Sequence, residues 1–440
     1  MFTKLVASST LAMALTFGFA QNTEANIAKV DPTMKVTTGG FFKFIGAMIH
    51  NHHEYKDKDL QPIYDTDGNV VKNIPYKRRP HDFFMDAEVI IKADAISKDN
   101  IKYGAEVQLE ANPGNSQKID RKIDIKRIKG QKDISGVLVG SPDNPGSAHL
   151  INADKVYMYV SKDDVGRVVA GSNDGVANQL SFYAPAAFAT GGIDGLYQSF
   201  LGDEVVDVAY ITKGSGRSLK VSYTTPRYEG FQAGVSFTPT NGRRGRLIKR
   251  NRVALTDPGF SKLSDENFEN ITEYGLNYIN TFDGVGLFLS ATGAQGKALK
   301  FHGRKYDDLN SYGFGANLVY AGYTLGGSWV NNNRSGYFKG THETARLSKG
   351  KERGWSIGLQ YEAGPVIIGT NYANMRTAGD TTVLGKNKAS VVSGGATYKV
   401  ASGLSVFTEA TGTHRKLKRS HERRDRDHRS VVLVGSKIDW

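Results

Sequence analysis

The chain has 440 residues, a formal net charge of +13 and no cysteine. Without cysteine it cannot be a small disulfide-stabilised secreted domain. A mean hydropathy of −0.40 excludes a helical membrane protein, which needs spans of about 20 apolar residues.

The N-terminus is predicted to be an export signal that covers residues 1–20. Lys4 precedes a short apolar core at 11–20, and polar residues follow immediately. Such a core is too short to span a membrane stably. A buried N-terminal helix is the weaker alternative. We expect residues 21–35 to form a short N-terminal segment and residues 36–440 to form one domain.

Segments with strict apolar and polar alternation recur throughout that domain, most clearly at 217–240. There Leu219, Val221 and Tyr223 alternate with small or polar residues. Successive side chains of a strand point to opposite faces, so each segment has one apolar and one polar face. This pattern, with turns between the copies, is typical of a transmembrane β-barrel with lipid outside and water inside.

The predicted strands are joined by alternating long and short connections, as in antiparallel membrane barrels. The sequence predicts 16 of them at 36–49, 82–95, 101–111, 153–161, 167–172, 218–226, 231–240, 271–282, 285–293, 311–321, 323–332, 355–362, 365–374, 389–400, 404–414 and 431–440. The third long connection, 173–216, contains the apolar run EVVDVAYIT (204–212), which we assign to the loop because a further strand would make the number odd. The predicted fold is therefore all-β, a 16-stranded antiparallel transmembrane barrel with long outer loops.

Three segments carry a resemblance to a known family: GRVVAGSNDG (166–175), GGIDGLYQSF (191–200) and KVSYTTPRYEGFQAGVSFTP (220–239). Over 36–440 the chain resembles the Gram-negative general porins. The resemblance implies an outer-membrane protein, usually a homotrimer, whose third long loop folds inward and narrows the pore. It also implies that acidic residues of this constriction loop, 173–216, face basic residues on the wall.

Charged residues on the polar faces are the candidate pore residues, because a water-filled channel selects ions through charges that line it. For the pore wall we predict Lys43, Glu88, Lys92, Lys102, Glu106, Arg167 and Lys220. For the constriction loop we predict Asp174, Asp194, Asp203 and Glu204. The alternative is that each of these charges faces a wide, solvated vestibule, where screening beyond about 8–10 Å makes it weak.

The excess positive charge lies largely in the predicted long loops, at 77–80, 122–132, 242–252 and 414–429. A ring of such loops at the outer mouth predicts a mild anion preference, whereas docking of the loops onto phosphate-rich outer-leaflet lipid or onto neighbouring loops is the competing explanation. His414, His421 and His428 fall in the predicted eighth loop and are expected to protonate near pH 6.

These features favour a passive channel for small hydrophilic solutes and ions, with outer-membrane lipid as its surroundings and no nucleic acid as a partner. We predict no enzymatic activity, because no nucleophile elbow or phosphate-binding loop is present, and no cofactor. HNHHE (50–54) lacks regular metal-ligand spacing and is expected to be a solvated loop. The main alternative is an adhesin-like barrel whose outer loops bind ligands. A substrate-specific channel would need an aromatic ladder along the lumen, and Tyr157, Tyr159 and Phe288 on the polar faces are too few to form one.

Overall fold

The computed structural model describes residues 34–53, 60–64, 70–75, 80–111, 151–186, 188–201, 210–241, 268–299, 305–337, 339, 351–378, 386–418 and 424–440. Within these ranges 16 strands close into one antiparallel barrel, and two further strands form a separate hairpin. The hairpin strands are β2 (Leu60–Tyr64) and β3 (Val70–Pro75). The barrel strands are β1 (Lys35–His53), β4 (His81–Ile96), β5 (Lys102–Ala111), β6 (Ile151–Lys162), β7 (Gly166–Ser172), β8 (Leu219–Thr224), β9 (Phe231–Thr240), β10 (Phe268–Phe282), β11 (Val285–Ala298), β12 (Leu309–Tyr320), β13 (Tyr323–Asn333), β14 (Glu352–Ala363), β15 (Val366–Ala378), β16 (Lys386–Ala401), β17 (Leu404–Lys418) and β18 (Arg424–Asp439).

The side-chain alternation of the sequence becomes the two faces of the barrel wall. On β12, Tyr312, Phe314 and Leu318 are exposed on the outside. Leu309 and Ser311 occupy the alternate positions and are buried inside. Exposed aromatic and aliphatic side chains on the outside of a closed sheet are what a lipid-facing surface requires. The predicted barrel and its number of strands are therefore confirmed.

The barrel closes between its first and last strands. β1 pairs with β4 on one side and with β18 on the other, both antiparallel. Gly40 and Trp440 complete the seam, because each backbone N–H donates to the carbonyl of the other at 3.2 Å. Closure leaves the described barrel without an unpaired edge strand. An unpaired edge is not tolerated in hydrocarbon, because its backbone groups would have no hydrogen-bond partner.

Short connections at one end of the barrel are tight turns in left-handed conformations. Asp283 and Gly284 have φ values of 48° and 82°, and Ala321 and Gly322 have 48° and 83°. Two consecutive positive φ angles are typical of the two-residue hairpin turns whose twist matches that of the strands. This end is therefore built for minimal loops, and the long connections all lie at the other.

Three details of the sequence prediction need correction. The predicted eighth loop at 414–429 is wrong at both ends, because β17 continues to Lys418 and β18 begins at Arg424. His414 and His428 thus lie on strands, and His421 lies outside the described residues. β1 extends to His53, so His50–His53 of the HNHHE motif are strand residues, and the hairpin of β2 and β3 was not predicted. Charged side chains beyond the hydrocarbon layer are solvated, so high polarity does not stop a ladder there.

The third long connection does not contribute a strand to the barrel. β7 pairs directly with β8, with Gly171 opposite Lys220, so the run 204–212 is not placed between them. Tyr210–Thr212 of that run are described and are not strand, whereas 202–209 lie outside the described residues.

The described parts of the same connection hold short helical turns at Val176–Gln179 and Tyr197–Leu201 and a 3₁₀ turn at Gly192–Asp194. They form the core with the inner wall, where Tyr197 and Leu201 pack in one buried cluster with Ile45 and Leu433. No helix among the described residues is long and apolar enough to cross a membrane.

Candidate pore constriction

Lys220 fastens the two ends of the third long loop together. Its side chain is 4% exposed, and its Nζ donates to the carbonyls of Gly216 at 2.6 Å and Ser218 at 2.8 Å, and also to that of Asn173. One ammonium thus bridges the beginning and the end of the loop. We predicted Lys220 as a pore-wall charge; the structure places it on carbonyls that shield it from the passage.

Glu273 on β10, two strands away from Lys220, holds the same two ends of the loop. Its buried carboxylate accepts hydrogen bonds from the backbone N–H of Ala177 at 3.1 Å and from the N–H and hydroxyl of Ser215 at 2.6 and 2.5 Å. A Cβ added at Gly175 would lie 1.7 Å from a carboxylate oxygen, so this approach requires glycine. The sequence analysis missed Glu273, and the only signal was an acid on the inward face of β10.

Small polar side chains of the wall carry the loop further around the barrel. They are spaced along β11 to β14, and three serines among them bond to the loop backbone. Ser290 accepts from the N–H of Phe182 at 2.9 Å, Ser356 accepts from the N–H of Ala184 at 3.3 Å, and Ser328 donates to the carbonyl of Tyr210 at 2.5 Å. At the far end Arg429 of β18 donates to the carbonyl of Leu201 at 2.6 Å.

Aromatic side chains fill the space between loop and wall. Phe182 meets Phe288 of β11 edge to face, with ring centroids 5.5 Å apart. Phe188 is 6% exposed and lies over Gly395 of β16, where an added Cβ would sit 3.1 Å from its ring. Contacts of this kind bury apolar area and add about 0.5–1.5 kcal/mol for each aromatic pair. The described parts of the loop therefore pack against the wall.

Charged residues meet where the loop leaves the wall between β6 and β8. The Asp174 carboxylate lies 2.9 Å from Nζ of Lys155 and 3.5 Å from Nε of Arg217, and Arg217 also pairs with Asp154. Burial raises the pKa of Asp174, but the hydrogen bonds and charges of Lys155 and Arg217 outweigh it, so that the pKa is lowered. Of this cluster the sequence analysis predicted only Asp174.

Asp194 belongs to the inner edge of the loop. Its side chain is exposed to the lumen while the loop and walls surround it, and it accepts a hydrogen bond from the hydroxyl of Tyr210. This enclosure raises the pKa of Asp194, and the hydrogen bonds from Tyr210 and Gln198 together with the charge of Arg217 offset the rise only in part. Asp203 and Glu204, the other predicted loop acids, lie outside the described residues.

Four predicted wall residues lie toward the end of the barrel with short turns. Lys92 pairs with Asp94 at 3.1 Å, and the guanidinium of Arg167 lies 4.2 Å from the ring centroid of Tyr159. Lys102 pairs with Asp163 at 2.9 Å on the rim itself, while Glu106 accepts a hydrogen bond from Gln108 at 2.6 Å. Of these four residues, Lys92 and Arg167 lie together against the ring of Tyr159.

The remaining two wall residues lie nearer the constriction. Lys43 pairs with Asp86 at 3.0 Å, and both side chains are nearly buried, at 12% and 9% exposed. Glu88 is half-buried on the inward face of β4, in the electrostatic field of Asp154, Lys155 and Arg217. The structure therefore brings Glu88 and Asp174 to one charged region and keeps Lys43 apart in its own ion pair.

These contacts divide the interior into an occupied side and an open side. The described parts of the loop cover the wall from β8 to β18 and reach Ile45 of β1 and Phe84 of β4, and the charged side chains of β4 to β7 are left toward the lumen. Inside this closed barrel the side chains of Lys92 and Arg217 are still 39% and 42% exposed. Water therefore reaches charged groups on the inner face, which is the physical requirement for passing hydrated ions.

Comparison with known proteins agrees with this architecture. The family model for Gram-negative porins matches residues 5–416. Uncharacterized proteins of Rickettsia conorii and Rickettsia typhi are 24% and 23% identical, with 99% of this chain and 99% and 97% of those proteins covered. An anion-selective porin from Comamonas acidovorans has a similar fold, with a TM-score of 0.51 and 13% identity over 92% of this chain and all of that one. The chain thus belongs to the Gram-negative porins and forms a channel in the outer membrane.

Proposed function

We propose that the protein is a general diffusion porin that lets small hydrophilic solutes and ions cross the outer membrane passively. The observation that carries this proposal is the solvent exposure of inward-facing charges, above all Lys92 and Arg217, within a closed barrel. A loop anchored by Lys220 and Glu273 then limits the size of the solute. No step of this function makes or breaks a bond.

Single-channel recordings in planar bilayers test the proposal. Purified protein should give discrete ohmic steps, and neutral sugars of increasing size should lower the conductance until a cut-off is reached. An adhesin-like barrel with a filled lumen would show no steps at all. A substrate-specific channel would saturate with one solute; the ladder that it needs is weakened because Phe182 of the loop covers Phe288.

A mild anion preference is the finer part of the proposal. Ion pairs such as Lys155–Asp174 and Arg217–Asp154 balance much of the charge on the open side, so the support for it is the basic character of the long loops. Vestibule charges act weakly on selectivity because salt screens them within about 8–10 Å. The reversal potential in a KCl gradient should therefore favour chloride slightly, and a potential on the cation side would overturn this part.

Membership of the porin family also leads us to propose a homotrimer. Native mass spectrometry of the detergent-solubilised protein should show three copies, with dissociation on heating. A species of one copy at all detergent concentrations would contradict the trimer without affecting the channel proposal.

A further inference from the structure

Five basic residues form a continuous row across neighbouring strands at the end of the barrel with long loops. In the register, Arg353 of β14 lies opposite Arg376 of β15, which lies opposite Lys388 of β16; the row continues through Lys416 of β17 to Arg426 of β18. Adjacent strands are about 4.8 Å apart, so this cationic row is about 19 Å long.

The cationic row faces outward, away from the lumen. All five side chains are exposed, and they share the parity of lipid-facing residues such as Ile357 and Val434 on the same strands. None of the five has an ion-pair partner among the residues that the structure describes. Like charges directly opposite each other destabilise a sheet, so an anionic partner would stabilise the strands that carry the row.

The surface below the row contains nothing to neutralise it. The outward positions of β14 to β18, as far as the strands are described, include no aspartate or glutamate and are mainly apolar or aromatic. From Tyr398 near the short turns up β16 to Lys388, the height is about 26 Å for strands tilted near 40°. That is about the height of the apolar band of a membrane barrel, which places the row at the level of lipid headgroups.

A recess of about 320 Å³ opens on the same outward surface, below the middle of the row. Gly412 leaves the gap, and Tyr372, Val392, His428 and His50 surround it. His428 also contacts His414, with their Nδ1 atoms 3.0 Å apart. Small hydroxyl side chains, such as Ser390 and Ser430, complete the lining. Cations above a recess that also contains aromatic rings and Val392 match a molecule with a charged head and an apolar body.

We propose that the cationic row and this recess form a binding site for an anionic lipid of the outer leaflet, whose phosphate groups contact the row. Arg and Lys side chains bind phosphate by charge-assisted hydrogen bonds, and a row about 19 Å long accommodates more than one phosphate. A symmetric contact with a second copy would bring two such rows together and is disfavoured by their repulsion. The site is separate from the lumen, so it does not depend on which solutes pass.

Tryptophan fluorescence can report on this site because the chain has three tryptophans. Trp355 and Trp329 are paired in register on the outward face, with Trp355 just below Arg353, whereas Trp440 is at the other end. The full-length barrel carrying Trp440→Phe would be reconstituted in phosphatidylcholine bilayers that contain a brominated lipid, with the bromine near the headgroup end. The brominated lipid is phosphatidic acid in one series and phosphatidylcholine in the other. We expect brominated phosphatidic acid to reach half-maximal quenching at about a fivefold lower mole fraction than brominated phosphatidylcholine.

The test variant combines Arg376→Gln, Lys388→Gln and Lys416→Gln. In it the mole fractions of the two brominated lipids that give equal quenching should be nearly the same. A matched control removes the same charge near the short turns through Lys98→Gln, Lys162→Gln and Lys399→Gln and should retain the preference. Gly412→Leu should lower the preference without changing charge, because a Cβ there meets only Val392 at an ordinary 3.5 Å. Unchanged single-channel conductance in every variant would show that the barrel is folded.

Four results would overturn the proposal. The wild type could show no preference for phosphatidic acid, or the preference could survive the triple substitution. Excess inorganic phosphate could abolish the preference, which would indicate a site for the free anion instead of the lipid. Altered subunit assembly in the triple variant, with unchanged lipid preference, would identify the row as a contact between copies of the chain.

Discussion

The two sides of the lumen interact with the third long loop through different chemistry. On the side of β4 to β7, charged groups pair with one another and with the loop mouth, as in the contact of Lys155 with Asp174. On the side of β11 to β14, neutral hydroxyls such as those of Ser290 and Ser356 accept from the loop backbone. The neutral side therefore holds the loop, and the charged side is left to act on ions.

Glu273 of β10, next to the neutral strands, adds a buried charge that holds the loop. Its carboxylate joins Ala177 near the start of the loop to Ser215 near its end. Unpaired buried donors cost about 1–3 kcal/mol each. Removing this single group should therefore disturb the loop more than removing any one hydroxyl.

We predict the largest effect for Glu273→Ala. Three buried donors lose their acceptor, so the free energy of unfolding should fall by about 3 kcal/mol or more, and the freed loop should widen the passage. Chemical denaturation monitored by fluorescence measures the first effect, and the sugar cut-off in bilayers measures the second. Gly175→Val should reproduce both, since its side chain would displace the same carboxylate.

Glu269→Gln on the same strand is the control, because Glu269 lies near the strand end and is only half-buried. It should leave the sugar cut-off unchanged. If Glu273→Ala also left the cut-off unchanged, the anchoring role of the carboxylate would be wrong, whatever happened to stability.

The charged side should govern selectivity. Arg217→Gln removes a cation that is 42% exposed and leaves Asp154 and Asp174 less balanced. We expect the ratio of chloride to potassium permeability to fall by about twofold, a modest change because salt screens the site. Asp174→Asn should shift the ratio in the opposite direction, since it frees Lys155 and Arg217.

Thr292→Val provides the comparison on the neutral side. Its hydroxyl bonds to that of Thr212 at 2.7 Å, and valine has nearly the same shape. The reversal potential should not move. A shift as large as that of Arg217→Gln would mean that selectivity does not arise from the charged side.

Strand periodicity explains how much of this architecture could be predicted. Alternation of apolar and polar residues placed all barrel strands, because lipid and water impose opposite requirements on the two faces. It failed above the membrane, where His414 and Lys416 face outward into a polar layer and the contrast between the faces is lost. The eighth loop was therefore predicted to be too long.

The constriction was less predictable because parity reports only which face a side chain occupies. Lys220 and Arg167 both face inward, yet Lys220 is buried under loop carbonyls and Arg167 stacks on Tyr159. Which inward residues meet the loop depends on the path of the loop through the barrel. That path is set by contacts distant in sequence, such as Glu273 with Ser215, and no local pattern encodes them.

Acidification should change the two loop acids at different pH values. The pKa of Asp194 is raised by its enclosure, so it loses its negative charge first as the pH falls, while the pKa of Asp174 is lowered by its ion pairs and it stays charged. The chloride preference should therefore rise slightly as the pH falls below neutrality. Asp194→Asn should reduce that rise, and a rise of unchanged size in this variant would assign it to another group.

The smallest effect is expected from Ser290→Ala on the neutral side. Ser290 accepts from the N–H of Phe182, a single neutral hydrogen bond worth about 0.5–1.5 kcal/mol, and Phe182 is also held by its contact with Phe288. Because the attachment is distributed, one lost bond should leave mean conductance and selectivity unchanged and increase only the open-channel current noise. Combining it with Ser356→Ala should lower the stability roughly additively, since the two hydroxyls meet different loop residues. Adding Ser328→Ala should give less than the sum, because the hydroxyls of Ser328 and Ser356 bond to each other at 2.7 Å. A large conductance change from Ser290→Ala alone would show that the neutral side holds the loop at one point rather than along its length.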